Sequence, residues 1–106
     1  MKFIFTVKIK EGHTEQEYID AWKNGSSIIQ KSLGAKGTTL YRKIGEPGNL
    51  IAIAEWDSKE ARDAAMKKLD EADEKTKKIL KRHRDFGETK ILGNYEEVAS
   101  VKSDVS

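Results

Sequence analysis

Residues 50–61 read "LIAIAEWDSKEA", and this stretch decides the fold. Leu50 to Ala54 is an unbroken apolar run, the length of a strand and too short for a buried helix. A strand that is apolar on consecutive residues has both faces covered. Glu55-Trp56 closes the run. Asp57 or Ser58 then supplies a helix N-cap, because a short side-chain oxygen there accepts an otherwise orphaned backbone N–H. Beyond it Ala61, Ala65, Leu69, Ala72, Thr76 and His83 recur at spacings of three and four, through Ile79 or Leu80, which makes one helix face. Alternation along the strand groups Leu50, Ala52, Ala54 and Trp56 on one side and turns Glu55 to the other.

Upstream, "GEPGN" (residues 45–49) is a turn cluster holding the only proline. Before it, Leu40, Arg42 and Ile44 alternate with Thr39, Tyr41 and Lys43. That predicts a strand over Thr38–Ile44, joined to Leu50–Trp56 as a hairpin. At the start, "KFIFTVKIK" (Lys2 to Lys10) places Phe3, Phe5, Val7 and Ile9 at period two, with Ile4, Thr6 and Lys8 on the reverse face. Thr14 and Glu17 form a capping box, each side chain satisfying the other's backbone amide. A helix over Glu15–Leu33 follows, with Tyr18, Ile19, Trp22, Ile29 and Leu33 near one face. Gly25, within "NGSS", costs that helix about 1 kcal/mol relative to alanine. It marks either a kink or a place where another chain comes close.

Downstream, an unbroken second helix would run roughly 26 residues and about 39 Å. That is long for a domain of this size, so a break is expected near Asp70–Glu74. Gly87 in "RDFGE" reads as its C-terminal stop. A last strand is expected over Thr89–Val98. "ASVKSDVS", residues 99–106, reads as a loose tail, which leaves 1–98 as one domain.

The totals agree with a single domain: 106 residues, 37% apolar and 36% charged. A net charge of +2 is too small to argue for nucleic acid. "KTKKILKRHR" (residues 75–84) is basic but lacks interleaved aromatics, so it reads as a solvated helix face. Without cysteine there is no disulfide, thiolate metal site or thiol nucleophile. This fits a cytoplasmic setting. The N-terminal stretch lacks the pattern of a signal peptide, and no segment has the length to span a bilayer.

The order strand, helix, strand, strand, helix, strand is the ferredoxin-like βαββαβ pattern, an α+β fold with an antiparallel sheet. Both helices then cover one face. The chain has no spare element for the other face, yet the third strand is apolar on both. A second copy packed sheet to sheet supplies the missing cover, so a homodimer through the sheet face is expected.

Three stretches carry a resemblance: "FIFTVKIKEGHTEQEYIDAW" (residues 3–22), "GAKGTTLYRKIGEPGNLIAIAEWDSKEA" (residues 34–61) and the closing "LGNYEEV". Together they resemble the antibiotic-biosynthesis-monooxygenase-like domains of the dimeric α/β-barrel superfamily. The resemblance implies a dimeric α/β barrel and a cofactor-independent monooxygenase-like activity on a small aromatic or quinone-type metabolite. Such chemistry needs no flavin, haem or metal. It equally implies two alternatives found on the same scaffold: a non-catalytic ligand-binding or stress-associated dimer, and haem binding or degradation. In the haem-degrading branch an asparagine on the first strand, a tryptophan and a helix histidine work together. Trp56 and His83 match two of these, but the first strand offers Thr6 and no asparagine.

The candidate catalytic residues are His83, for proton transfer, and Asn24, as a hydrogen-bond donor to a substrate anion. Trp22, Tyr41, Arg42 and Trp56 are the candidate ligand contacts, with Tyr18 beside them between helix and sheet. Trp56 has a plainer role as a core plug under the second helix, and His83 as a cap on the helix dipole. Glu55 is expected in an ion pair with Lys8 or Arg42. His13 is expected in an exposed loop. The two histidines stand far apart, so no metal site is expected.

Overall fold

A computed structural model describes residues 1–105. The elements are β1 (Lys2–Ile9), α1 (Glu15–Ile29), β2 (Ala35–Arg42), β3 (Asn49–Trp56), α2 (Lys59–Leu69), α3 (Glu74–Lys81), a 3-10 turn (Arg82–Asp85) and β4 (Gly87–Tyr95). The four strands form one sheet in the order β2-β3-β1-β4, and every neighbouring pair is antiparallel. This is the ferredoxin-like arrangement, with the helices on one face.

Register fixes which side chains meet those helices. Phe3 pairs with Ala54, Phe5 with Ala52 and Val7 with Leu50. Thr38 and Leu40 continue these rows on β2, and Ile91 and Thr89 continue them on β4. The core gathers Val7, Tyr18, Ala21, Leu50 and Phe86. The opposite face carries Ile4 against Ile53 and Thr6 against Ile51, all partly buried, with the half-exposed Tyr41 and Tyr95 at its flanks. No element of the described residues covers that face.

Local signals place most boundaries. The Thr14–Glu17 capping box is present, with the Glu17 amide 3.1 Å from Thr14 Oγ1 and the Thr14 amide 2.9 Å from Glu17 Oε1. Ser58 caps α2, its Oγ accepting the Ala61 amide at 3.0 Å. The expected break falls after Leu69, and Asp73 starts α3 by accepting the Thr76 amide at 2.7 Å.

Several expectations need correction. Helix α1 ends at Ile29, and Leu33 is 94% exposed. Gly34, at φ 89°, turns the chain into β2 there, and a side chain on it would meet Ala61 Cβ at 2.8 Å. Strand β2 is shifted earlier and stops at Arg42, leaving Ile44 exposed in the turn. The close approach at Gly25 is made by α3 of the same chain, where an added Cβ would lie 3.4 Å from the Ile79 carbonyl oxygen. Gly87 opens β4 rather than ending a helix, and its φ is not positive. A Cβ there would sit 2.6 Å from Val7 Cγ1 and 2.9 Å from Tyr18 Cδ2, so packing is what requires the glycine. Strand β4 ends at Tyr95, earlier than expected. Residues 99–105 of the expected tail lack helix and strand, and Ser106 lies outside the described residues.

Candidate active site

Between the sheet and the helices lies a cavity of about 370 Å³. Each wall follows from a local pattern. The floor is Phe3 and Phe5 of β1 with the small Thr38 and Ala54 beside them. Trp22 and Ile29 come from one face of α1, seven residues apart. Helix α2 contributes Arg62, Met66 and Leu69 at i, i+4 and i+7. The far wall is α3 and the turn after it, with Leu80, His83 and Arg84.

Trp56 is 2% exposed and also lines this cavity, so plug and ligand wall are one side chain. Two backbone hydrogen bonds hold its surroundings: its amide donates to the Met1 carbonyl at 2.8 Å, and the Asp57 amide to the Gly34 carbonyl at 2.8 Å. His83 is partly buried, and its ring stands edge-on to Tyr18 with centroids 5.8 Å apart. Burial, and then the nearby Arg84 charge, hold the imidazole below its ordinary value. A hydrogen bond with the Leu80 backbone acts in the other direction. At neutral pH the ring is therefore uncharged and able to accept a proton.

The other expected residues separate. Trp22 joins Trp56 and His83 at the cavity. Asn24 does not: it is exposed on α1 and is not among the lining residues. Its neighbours Trp22 and Gly25 take the inward positions of the turn. Tyr41 and Arg42 line a separate shallow hollow along the β2 edge, with Ile19 and Leu40. Arg42 there binds Glu15, Nε to Oε1 at 2.6 Å, while Glu15 Oε2 accepts the Gly48 amide at 2.6 Å. The Gly48 amide first, and then Arg42, hold the Glu15 carboxyl below its usual range. Arg42 is thus engaged with Glu15 on the helix side, and the expected pair with Glu55 does not form. Glu55 is exposed and makes no ion pair among the described residues, with Lys8 included. Tyr18 belongs to the core at 0% exposure, with its hydroxyl unpartnered among the described residues. His13 is exposed and lies 3.5 Å from Glu17.

Arg62 and Met66 were not singled out from the sequence, and Phe3 and Phe5 were read there only as one face of a strand. The i, i+4, i+7 spacing of Arg62, Met66 and Leu69 was the available signal. It was masked by the adjacent alanine stripe, Ala61 and Ala65. Among the described residues no three His, Asp or Glu side chains gather to hold a metal ion. No described helix is long and apolar enough to cross a membrane.

Residues 2–73 match the model of the family described as antibiotic biosynthesis monooxygenase. The chain belongs to that family. The match runs from β1 through α2 and stops before α3, so the Lys77–Arg84 wall of the cavity lies beyond it. Solved structures share the monooxygenase-family fold at low identity. One is SnoaB, a cofactor-independent oxygenase from Streptomyces nogalater. It is 14% identical at a TM-score of 0.68, covering 93% of this chain and 96% of that one. A Bacteroides thetaiotaomicron protein of unknown function, described as a possible oxidoreductase, is 16% identical at a TM-score of 0.64, covering 85% and 89%. Arabidopsis thaliana At3g17210 is 10% identical at a TM-score of 0.69, covering 94% and 98%. No curated protein matches this chain in sequence.

Proposed function

We propose that the protein is a cofactor-independent monooxygenase acting on a small aromatic or quinone-type metabolite in the cavity between sheet and helices. The observation that carries this is one apolar cavity bringing Trp22, Trp56, Phe3 and Phe5 together with an uncharged, partly buried His83. Rigid aromatic walls suit a flat ring system. A base of lowered basicity in a shielded site suits removal of an acidic O–H or activated C–H. The family membership and the SnoaB likeness point the same way.

The chemistry balances without an added reductant. His83 accepts a proton from a ring methylene acidified by its neighbours. The resulting anion gives one electron to dioxygen, and the radical pair joins as a peroxide. Loss of water from the peroxide leaves a carbonyl. One oxygen atom stays in the product, the other leaves as water, and every electron comes from the substrate. The backbone and side-chain dipoles around the cavity need only hold the anion in place.

The bare sheet face, with Ile4, Ile51 and Ile53 partly buried, supports a homodimer formed through it. The test is oxygen uptake by the purified protein with anthrones, naphthols and hydroquinones and no added cofactor. Wild type is expected to exceed the uncatalysed rate, and His83→Gln to fall by about 10²-fold or more, as loss of a general base does. Tight binding of these compounds without uptake would favour a ligand-binding dimer instead.

A further inference from the structure

The charges around the cavity are unbalanced, and one of them lacks an adequate partner. The ionisable lining groups are Arg62, Lys77, Lys81, Arg84, His83 and a single carboxylate, Asp70. The Arg62 side chain is only 20% exposed, and its guanidinium lies 3.5 Å from the centroid of the Phe3 ring. Among the described residues its one carboxylate neighbour is Asp63, at 4.0 Å. Asp63 is instead bound to Lys59 at 2.7 Å. No described residue accepts a hydrogen bond from Arg62. A half-buried guanidinium with its donor fork unmet, stacked on an aromatic floor, is suited to a planar anion.

Position adds a second constraint. Arg62 sits over Phe3. His83 sits against Tyr18, whose ring lies beside Val7 and Gly87. Phe3 and Val7 are four residues apart on β1, roughly 13 Å at about 3.3 Å per residue. The guanidinium and the imidazole reach the same cavity from different elements, α2 and the turn after α3.

Resting on the aromatic-substrate reading above, we infer that the substrate is an aromatic carboxylate. Its ring system lies along the cavity, its carboxylate takes the Arg62 fork, and its acidic O–H or C–H faces His83. Lys77, Lys81 and Arg84 add long-range attraction at the wall.

Isothermal titration calorimetry of the full chain at neutral pH, with 2-naphthol and 6-hydroxy-2-naphthoate as probes, tests this. The carboxylate is expected to bind about tenfold tighter or more, with the preference shrinking as salt rises. Arg62→Gln is expected to remove the preference, so that the two probes bind the variant with equal affinity, with a thermal melt to confirm folding. If both probes bind wild type equally, the carboxylate inference is overturned while the aromatic cavity stands. If neither binds, the cavity reading falls and takes this inference with it. If Arg62→Gln keeps the full preference, the assignment to Arg62 is wrong. Should that variant fail to fold, the wild-type pair and its salt dependence decide the matter.

Discussion

Where Val7 pairs with Leu50, the helical layer sits down on the sheet. Where Phe3 pairs with Ala54, the same layer stands off and leaves a cavity. The two central strands are common to both ends, so the difference lies in the side chains. At the packed end Gly87 has no Cβ, and the Tyr18 ring descends onto Val7. Gly25, in the helical wall of the cavity, lets α3 close against α1. At the hollow end Thr38 and Ala54 are a cross-strand pair of small residues. The aromatics around them are rigid and cannot collapse to fill the space. Small residues therefore do opposite things at the two ends. A glycine under a large ring makes a close contact, whereas an alanine among large rings makes a void.

The largest effect that would break this contrast is at Gly87. Gly87→Ala puts a methyl group 2.6 Å from Val7 Cγ1. Urea unfolding is expected to show a loss of about 2–3 kcal/mol, toward the upper end for overpacking. An unchanged midpoint would mean that the packed end has slack.

Next comes a matched pair on β3. Ala52 is fully buried, while Ala54 lines the cavity. Ala52→Leu is expected to cost about 1–3 kcal/mol, and Ala54→Leu less than about 1 kcal/mol because the added carbons enter free space. Calorimetry should show that only Ala54→Leu abolishes naphthol binding while the fold persists. Equal losses of stability would show the two ends to be equally full.

A smaller effect separates the ends by pH. The folded value of His83 is depressed below its ordinary 6.5. The native state thus binds fewer protons than the unfolded chain just below that pH. Its contribution is present above 6.5 and is lost as pH falls through the folded value. Urea titrations at about pH 7 and about pH 5 should show wild type losing more stability than His83→Gln. Identical losses would remove His83 from the buried wall. The smallest effect is Tyr18→Phe, which deletes a buried hydroxyl with no partner among the described residues. It is expected to leave stability unchanged or raise it by up to about 1 kcal/mol. A clear loss in thermal melts would reveal a partner for that hydroxyl.

The features legible in the sequence are those whose partners lie a few residues apart. Thr14 and Glu17 are separated by three, as are Ser58 and Ala61, so the caps follow from spacing alone. Alternation gave the strands their faces and put Trp56 on the helix side. The α2–α3 break followed from length. Read together, these determine a ferredoxin-like domain with a sheet apolar on both faces, and they place Trp22, Trp56 and His83 on inward-facing stripes. What only the tertiary structure decided depends on residues distant in sequence. Gly87 looked like a helix stop because its contacts with Val7 and Tyr18 cross about 70 to 80 residues of chain. Arg42 looked free for a ligand because Glu15 lies 27 residues away. Arg62 gains its place at the cavity only because the fold brings Phe3 beneath it. Local hydrogen bonds and periodicity write themselves into neighbouring positions. Side-chain volume and charge pairing across the fold do not, and at this cavity they decide which residues meet.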